Sequence, residues 1–127
     1  MKVLICDDDK CIVDETKNNL NTFSDKHRIV FDIDLFYNGV ELLNSNISYD
    51  MAFIDIEMPQ VNGLTLAAHL KAFNPNIIIF IITSHESYLD DAMDLDVFRY
   101  LSKPIDNDRF FRALNTAINY YHSHTQI

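Results

Sequence analysis

The run Met51-Ala52-Phe53-Ile54-Asp55-Ile56-Glu57-Met58-Pro59 decides the fold. Its first four residues are apolar and lead straight into a carboxylate, and Pro59 closes it. A short unbroken apolar stretch bounded by a breaker reads as a strand buried on both faces. Strands of that kind belong to parallel sheets, and in open parallel sheets ligands sit outside the carboxyl ends of the strands. Asp55 stands at such an end.

Outward from this run the same pattern recurs. Val3-Leu4-Ile5-Cys6 runs into Asp7-Asp8-Asp9, Ile77–Ile82 into Thr83, and Val97-Phe98-Arg99-Tyr100-Leu101 into Ser102-Lys103-Pro104. Ile29 to Phe36 alternates instead, as an edge strand does, and Asn38-Gly39 ends it. Helical spacing fills the gaps. Ile12, Thr16, Leu20 and Phe23 mark a first helix, with Asp9 as N-cap, Cys11 in the opening turn, and Ser24–His27 as the polar turn after it. Val40, Leu43 and Ile47 are the inner stripe of a second. Leu64, Ala67, Leu70 and Phe73 mark a third, ended by Asn74-Pro75-Asn76. Ser84–Leu95 is weakly helical and acidic. Asp106 or Asn107 caps a last helix with the stripe Phe110, Leu114, Ala117 and Tyr121, widened by Phe111 and Ile118. Strands alternating with helices predict an α/β fold, a doubly wound five-stranded parallel sheet covered on both faces.

Length and composition narrow the function. At 127 residues the chain is one domain, and 1–127 is read as a single unit without linkers or repeats. A net charge of −9 makes it a poor direct binder of nucleic acid, since phosphate contacts need clustered Lys and Arg. The longest nearly apolar run is far too short to span a membrane. Cys6 and Cys11 have no zinc spacing around them. Cys6 reads as a buried thiol, and reduced thiols with no signal peptide place the expected location in the cytoplasm. Gly39 and Gly63 are the only glycines, and neither lies in a dinucleotide or P-loop pattern. His27, His69, His122 and His124 read as solvent-facing.

The strand ends carry the chemistry. In a parallel sheet, Asp7, Asp8, Asp55, Thr83 and Lys103 share one edge. Taken alone, Asp7–Asp9 would read equally well as a solvated cap, but Asp55 and Lys103 at neighbouring strand ends make a cleft of them. Crowded carboxylates repel, and burial makes their charge costlier still. Such a cluster calls for a cation, and an all-oxygen ligand set suits Mg²⁺. A carboxylate beside it can attack phosphorus and form an acyl phosphate. Lys103 would neutralise charge on the transferring group, and the Thr83 hydroxyl would hydrogen-bond one of its oxygens.

With these residues in order, the chain resembles the receiver domain of two-component response regulators over nearly its whole length. The resemblance implies a flavodoxin-like (βα)5 sheet of strand order 2-1-3-4-5. It implies that Asp55, inside D-x-x-M-P with Gly63 downstream, is the phosphoacceptor, served by a sensor histidine kinase. Asp7 and Asp8 match the acidic pair that, with Asp55 and the Glu57 backbone carbonyl, would hold Mg²⁺ (or Mn²⁺). Thr83 and Tyr100 match the switch residues, and Lys103-Pro104 the pair whose peptide bond is usually cis. Glu57 and His85 match positions that tune the lifetime of the phosphoryl group.

Activation would remodel the surface of the fourth helix, last strand and last helix. Asp90, Asp91, Asp94 and Asp96 against Arg99, Arg109 and Arg112 suggest a two-fold dimer there. The run Val97–Ile105 is similar to receivers joined to LytTR-type DNA-binding domains. No effector domain is expected within these 127 residues, so DNA contact would come only through one attached elsewhere; a stand-alone receiver acting through protein contacts is the alternative. No turnover of an external substrate is expected. A haloacid-dehalogenase-type phosphatase would want a second Asp where Glu57 stands and its nucleophile on the first strand. An FMN binder would want a hydroxyl- and glycine-rich loop where Asp7–Asp9 stand.

Overall fold

The computed structural model describes residues 1–84 and 97–125. The strands are β1 (Lys2–Cys6), β2 (Asp32–Phe36), β3 (Met51–Ile54), β4 (Ile78–Thr83) and β5 (Arg99–Ser102). The helices are α1 (Lys10–His27), α2 (Gly39–Leu43), α3 (Gly63–Phe73) and α4 (Asn107–Thr125). All strand pairings are parallel, in the order β2-β1-β3-β4-β5. The helix expected over Ser84–Leu95 lies almost wholly outside the described residues.

Period-two alternation along the central strands builds two cores. Val3, Ile5, Met51, Phe53, Phe80 and Ile82 face α1 and α4, where they meet Val13, Leu20, Phe23, Phe110 and Leu114. Leu4, Cys6, Ala52, Ile54, Ile79 and Ile81 face α2 and α3, where they meet Leu42, Leu66, Ala67 and Leu70. Both faces being dry explains why these strands have no polar residue until they end. Phe53 anchors the first core, its ring stacked on Phe80 at 4.7 Å between centroids and on Phe110 at 5.5 Å. The edge strands are wetter. Beside β2, Lys2 Nζ lies 3.0 Å from Asp32 and 3.7 Å from Asp34, and the Tyr49 hydroxyl donates to Asp34 at 2.6 Å.

Several boundaries differ from the sequence expectation. α1 runs on through Ser24–His27, because Phe23 is buried, His27 stacks on it at 4.1 Å, and Arg28 closes the helix in a left-handed conformation with its amide on Ser24 O. β2 therefore starts at Asp32, not Ile29. The buried stripe of α1 is Val13, Thr16, Asn19, Leu20 and Phe23, with Ile12 packing against the core only in part, and Asn19 is buried with its amide donated to Asn107 at 3.1 Å. In α2 the buried side chain is Leu42, while Val40 is exposed, and the helix ends at Leu43, leaving Ile47 exposed beyond it. In α3 Leu66 joins Ala67 and Leu70, and Phe73 is 42% exposed. His69 is half-buried, 3.4 Å from Ser45 O, whereas His27, His122 and His124 are exposed. Among the described residues no helix is long and apolar enough to cross a membrane.

Candidate functional site

The register brings the acidic residues to one level. Cys6 pairs with both Phe36 and Ile54, so Asp7 and Asp55 are the next residues on adjacent strands. Each is held one further step by the neighbouring strand. The Asp7 amide donates to Phe36 O (3.1 Å), the Asp55 amide to Cys6 O (3.0 Å), and the Lys103 amide to Thr83 O (3.0 Å). The strand order reverses between β1 and β3, and a crevice opens at that point in doubly wound sheets. Asp7 and Asp55 flank it.

One carboxylate oxygen from each of Asp7, Asp8 and Asp55 fits within 4.8 Å of the others. Asp7 and Asp55 are buried, at 2% and 5% exposure, while Asp8 faces solvent. The Lys103 ammonium reaches between the buried pair, 3.0 Å from Asp7 Oδ2 and 3.3 Å from Asp55 Oδ2. Asp7 Oδ2 makes an ion pair at this distance, but among the described residues it has no directed hydrogen bond. Its partner oxygen accepts the Asp9 amide at 2.8 Å, and Asp55 Oδ1 accepts the Glu57 amide at 3.3 Å.

These positions shift the acidities. Burial pushes Asp7 up to about 6; the Asp9 amide and the Lys103 ammonium oppose this, and the Asp55 carboxylate adds to it. Burial also raises Asp55 above the ordinary carboxylate range, against the pull of Lys103 and the Glu57 amide. Burial works to lower Lys103, but contact with Asp7 and Asp55 outweighs it and holds the ammonium above its usual value. One lysine is too little positive charge for two buried carboxylates and a third at the rim. The all-oxygen donor set and this shortfall of positive charge fit a hard divalent cation.

The other predicted residues fall around this cluster. Thr83 is buried at the end of β4. The Lys103–Pro104 peptide is cis. Tyr100 is half-buried, and its hydroxyl is buried without a hydrogen-bond partner among the described residues. Glu57 is exposed just past Asp55. His85, with Asp90, Asp91, Asp94 and Asp96, lies outside the described residues. Cys6 sits beneath the cluster; burial and the nearby Asp7 and Asp55 carboxylates push its thiol up to about 12. Cys11 is exposed, and both cysteines are free.

Two features went unseen in the sequence. In the sequence Asp9 shows only as a cap, which it is, accepting the Cys11 amide at 2.9 Å; its own amide also orients Asp7. Gly63 shows in the sequence only as a glycine downstream of Asp55. Its amide donates to Ile56 O at 2.8 Å, and a Cβ there would lie 2.2 Å from Asp55 O. This close approach clamps the loop that follows Asp55 against the strand end.

An open parallel sheet with an acidic, lysine-bridged cleft at its switch point defines the class: a doubly wound α/β domain of the flavodoxin-like type. Within it, the response regulator receiver domain family matches residues 3–115, and the chain belongs to that family. It is 32% identical over 115 residues to the sensory transduction protein LytT of Bacillus anthracis, covering 90% of this chain and 46% of that protein. It is 30% identical over 115 residues to LytR of Staphylococcus haemolyticus, covering 91% of this chain and 44% of that one. The chain thus spans about half the length of these curated relatives. Among solved structures, the response regulator receiver domain protein of Clostridium thermocellum superposes with a TM-score of 0.76 at 26% identity, over 94% of both chains.

Proposed function

We propose that Asp55 is the phosphoacceptor of this receiver and that Asp7, Asp8, Lys103 and Thr83 serve the transfer. The observation that carries this reading is the Lys103 ammonium lodged 3.0 Å from Asp7 and 3.3 Å from Asp55 within the acidic cluster. Asp7, Asp8 and Asp55, with the Glu57 backbone carbonyl, would hold Mg²⁺ or Mn²⁺, which when bound supplies charge neutralisation for the phosphoryl group. A carboxylate oxygen of Asp55 attacks phosphorus. The bond to the donor, a kinase phosphohistidine or a small acyl phosphate, breaks as the aspartyl phosphate forms, and the donor leaves with its electron pair. Lys103 offsets the charge developing on the equatorial oxygens, and the Thr83 hydroxyl donates to one of them. Burial favours the reaction by excluding water that would compete with Asp55.

Signalling then follows as a shift between two states biased by the phosphoryl group. Thr83 moves toward it, and Tyr100, whose hydroxyl lacks a described partner, turns inward. The surface carrying β5 and α4 is remodelled and pairs with a second copy. Glu57 and His85 set how long the phosphoryl group lasts. The names and lengths of the LytT and LytR relatives, and the wording of Val97–Ile105, support a LytTR-type DNA-binding domain as the output, acting on transcription in the cytoplasm. This domain itself would not touch DNA.

Intact-mass measurement after incubation with acetyl phosphate and Mg²⁺ tests the assignment. One phosphoryl adduct is expected on the wild type and none on Asp55→Asn or in EDTA. An adduct that persists on Asp55→Asn overturns it.

A further inference from the structure

A furrow separates the C-terminal end of α1 from α4, at the edge of the sheet opposite the acidic cleft. α1 begins directly after Asp9 and has 18 residues. At roughly 1.5 Å per residue it carries its last turn about 27 Å from the cleft. Two adjoining cavities form the furrow, of about 570 Å³ and about 630 Å³, sharing Phe23, His27 and Asn115. Half-buried Ile29 and Phe111 give its floor open apolar surface above the buried Phe23 and Ile118, and at its open end Val30 is 79% exposed.

The charge along this furrow is opposite to that of the chain. The protein has 10 Lys and Arg against 19 Asp and Glu. Yet the charged side chains that line the furrow, among the described residues, are Lys26, Arg28 and Arg112 against the single acid Asp108. Lys26, Arg28 and Arg112 form no ion pair with a carboxylate among the described residues. Among the described residues, the one side-chain hydrogen bond of the three runs from Arg112 Nε to the Asp108 backbone oxygen, at 3.4 Å. Lys26 and Arg28 sit at the C-terminal end of α1, where the helix dipole favours cations, and with Arg112 they give this trough a basic rim on an acidic chain.

We infer that this furrow docks an amphipathic helix of a partner protein whose apolar stripe is bordered by Asp and Glu. Helix-in-groove recognition places apolar anchors at i, i+3, i+4 and i+7 in a trough and charged neighbours on its rim. Here the floor takes the anchors, and Lys26, Arg28 and Arg112 meet the acids. Nucleic acid fits less well, because an apolar floor offers nothing to a phosphate backbone and the net charge of −9 repels a polyanion. The inference does not depend on phosphorylation of Asp55.

The test uses the whole 127-residue chain, ¹⁵N-labelled, and two synthetic helical peptides of about five turns. Both carry the same leucine stripe, bordered by Glu in one and by Lys in the other. The Glu peptide should bind, moving the amide signals of Phe23, Arg28, Asn115 and Asn119 while leaving those of Asp7 and Asp55 in place. Its affinity should fall about tenfold in an Arg28→Glu/Arg112→Glu variant, whose exposed positions keep the fold intact by circular dichroism. Equal binding of both peptides, or shifts elsewhere on the surface, overturns the proposal. Two further results reassign the furrow and overturn it as well: a wild-type dimer in sedimentation velocity that the variant abolishes, or binding to phosphatidylglycerol vesicles that the variant abolishes.

Discussion

Asp7 is the residue on which the resting protein turns. Its carboxyl sits near 6 in the fold, against 3.8 ordinarily, chiefly through burial. A folded value above the unfolded one means that the native state holds the proton more tightly. The stability this contributes is present below about 4 and lost as pH rises through about 6. In EDTA, the melting temperature should therefore carry a downward component across that window, which Asp7→Asn lacks. At pH 7 without metal, Asp7→Asn should be more stable than the wild type by about 2 kcal/mol, as measured by urea titration. A loss of stability in that variant would show that the Lys103 contact outweighs the burial of charge.

Thr16 makes a second case at this scale. Its side chain faces the core of α1, fully buried, and among the described residues its hydroxyl has no partner. An unpaired buried hydroxyl costs about 1–3 kcal/mol, and valine has the same shape and a similar helix propensity. Thr16→Val should raise stability by about 1 kcal/mol, read as a higher urea midpoint with an unchanged slope. Nothing in the sequence distinguished Thr16 from a surface threonine, apart from its place in the apolar stripe.

At the scale of elements, the strands were legible and the helix faces less so. An apolar run on a strand covered on both sides needs no phase, so Met51–Ile54 and Ile78–Thr83 fell where the pattern put them. A short helix offers several spacings of three and four. The spacing accordingly puts Leu64 and Phe73 on the stripe of α3, whereas Leu66 is fully buried, Leu64 packs partly against the core and Phe73 is exposed. Burial of Asn19 depends on Asn107, 88 residues away, and no local periodicity reports such a partner. The loop joining β3 to α3 was equally opaque. Its Gly63 looks like a spare turn residue in sequence, and only the fold reveals that a Cβ would strike Asp55 O and Ile56 Cα. Both atoms are backbone next to the site, so relief requires the strand end to move. Gly63→Ala should cost about 2–3 kcal/mol and slow acetyl-phosphate labelling of Asp55. Normal labelling at normal stability would mean the loop yields without disturbing Asp55.

For the whole molecule, the acidic residues were legible as a site because each ends a strand, and parallel topology gathers strand ends without help from side chains. What the sequence could not convey is how the charges are enclosed: Asp7 and Asp55 are buried with the Lys103 ammonium between them, while Asp8 stays at the rim. With −9 overall, the chain also repels itself, and any salt relieves that strain by screening. A bound divalent cation acts differently, stabilising only the fold that assembles its ligands, by RT ln(1 + [L]/Kd). Above the dissociation constant, each tenfold rise in Mg²⁺ should therefore add about 1.4 kcal/mol, or about 4–6 °C in Tm for a domain of this size. NaCl at equal ionic strength should give a smaller rise that saturates as screening completes. Asp8 separates the two effects, since it is exposed and its loss leaves the core untouched. Asp8→Asn should keep the NaCl response and lose most of the Mg²⁺ response in differential scanning fluorimetry. If NaCl reproduces the whole Mg²⁺ effect in the wild type, the cluster is merely an acidic surface and the cation site is refuted.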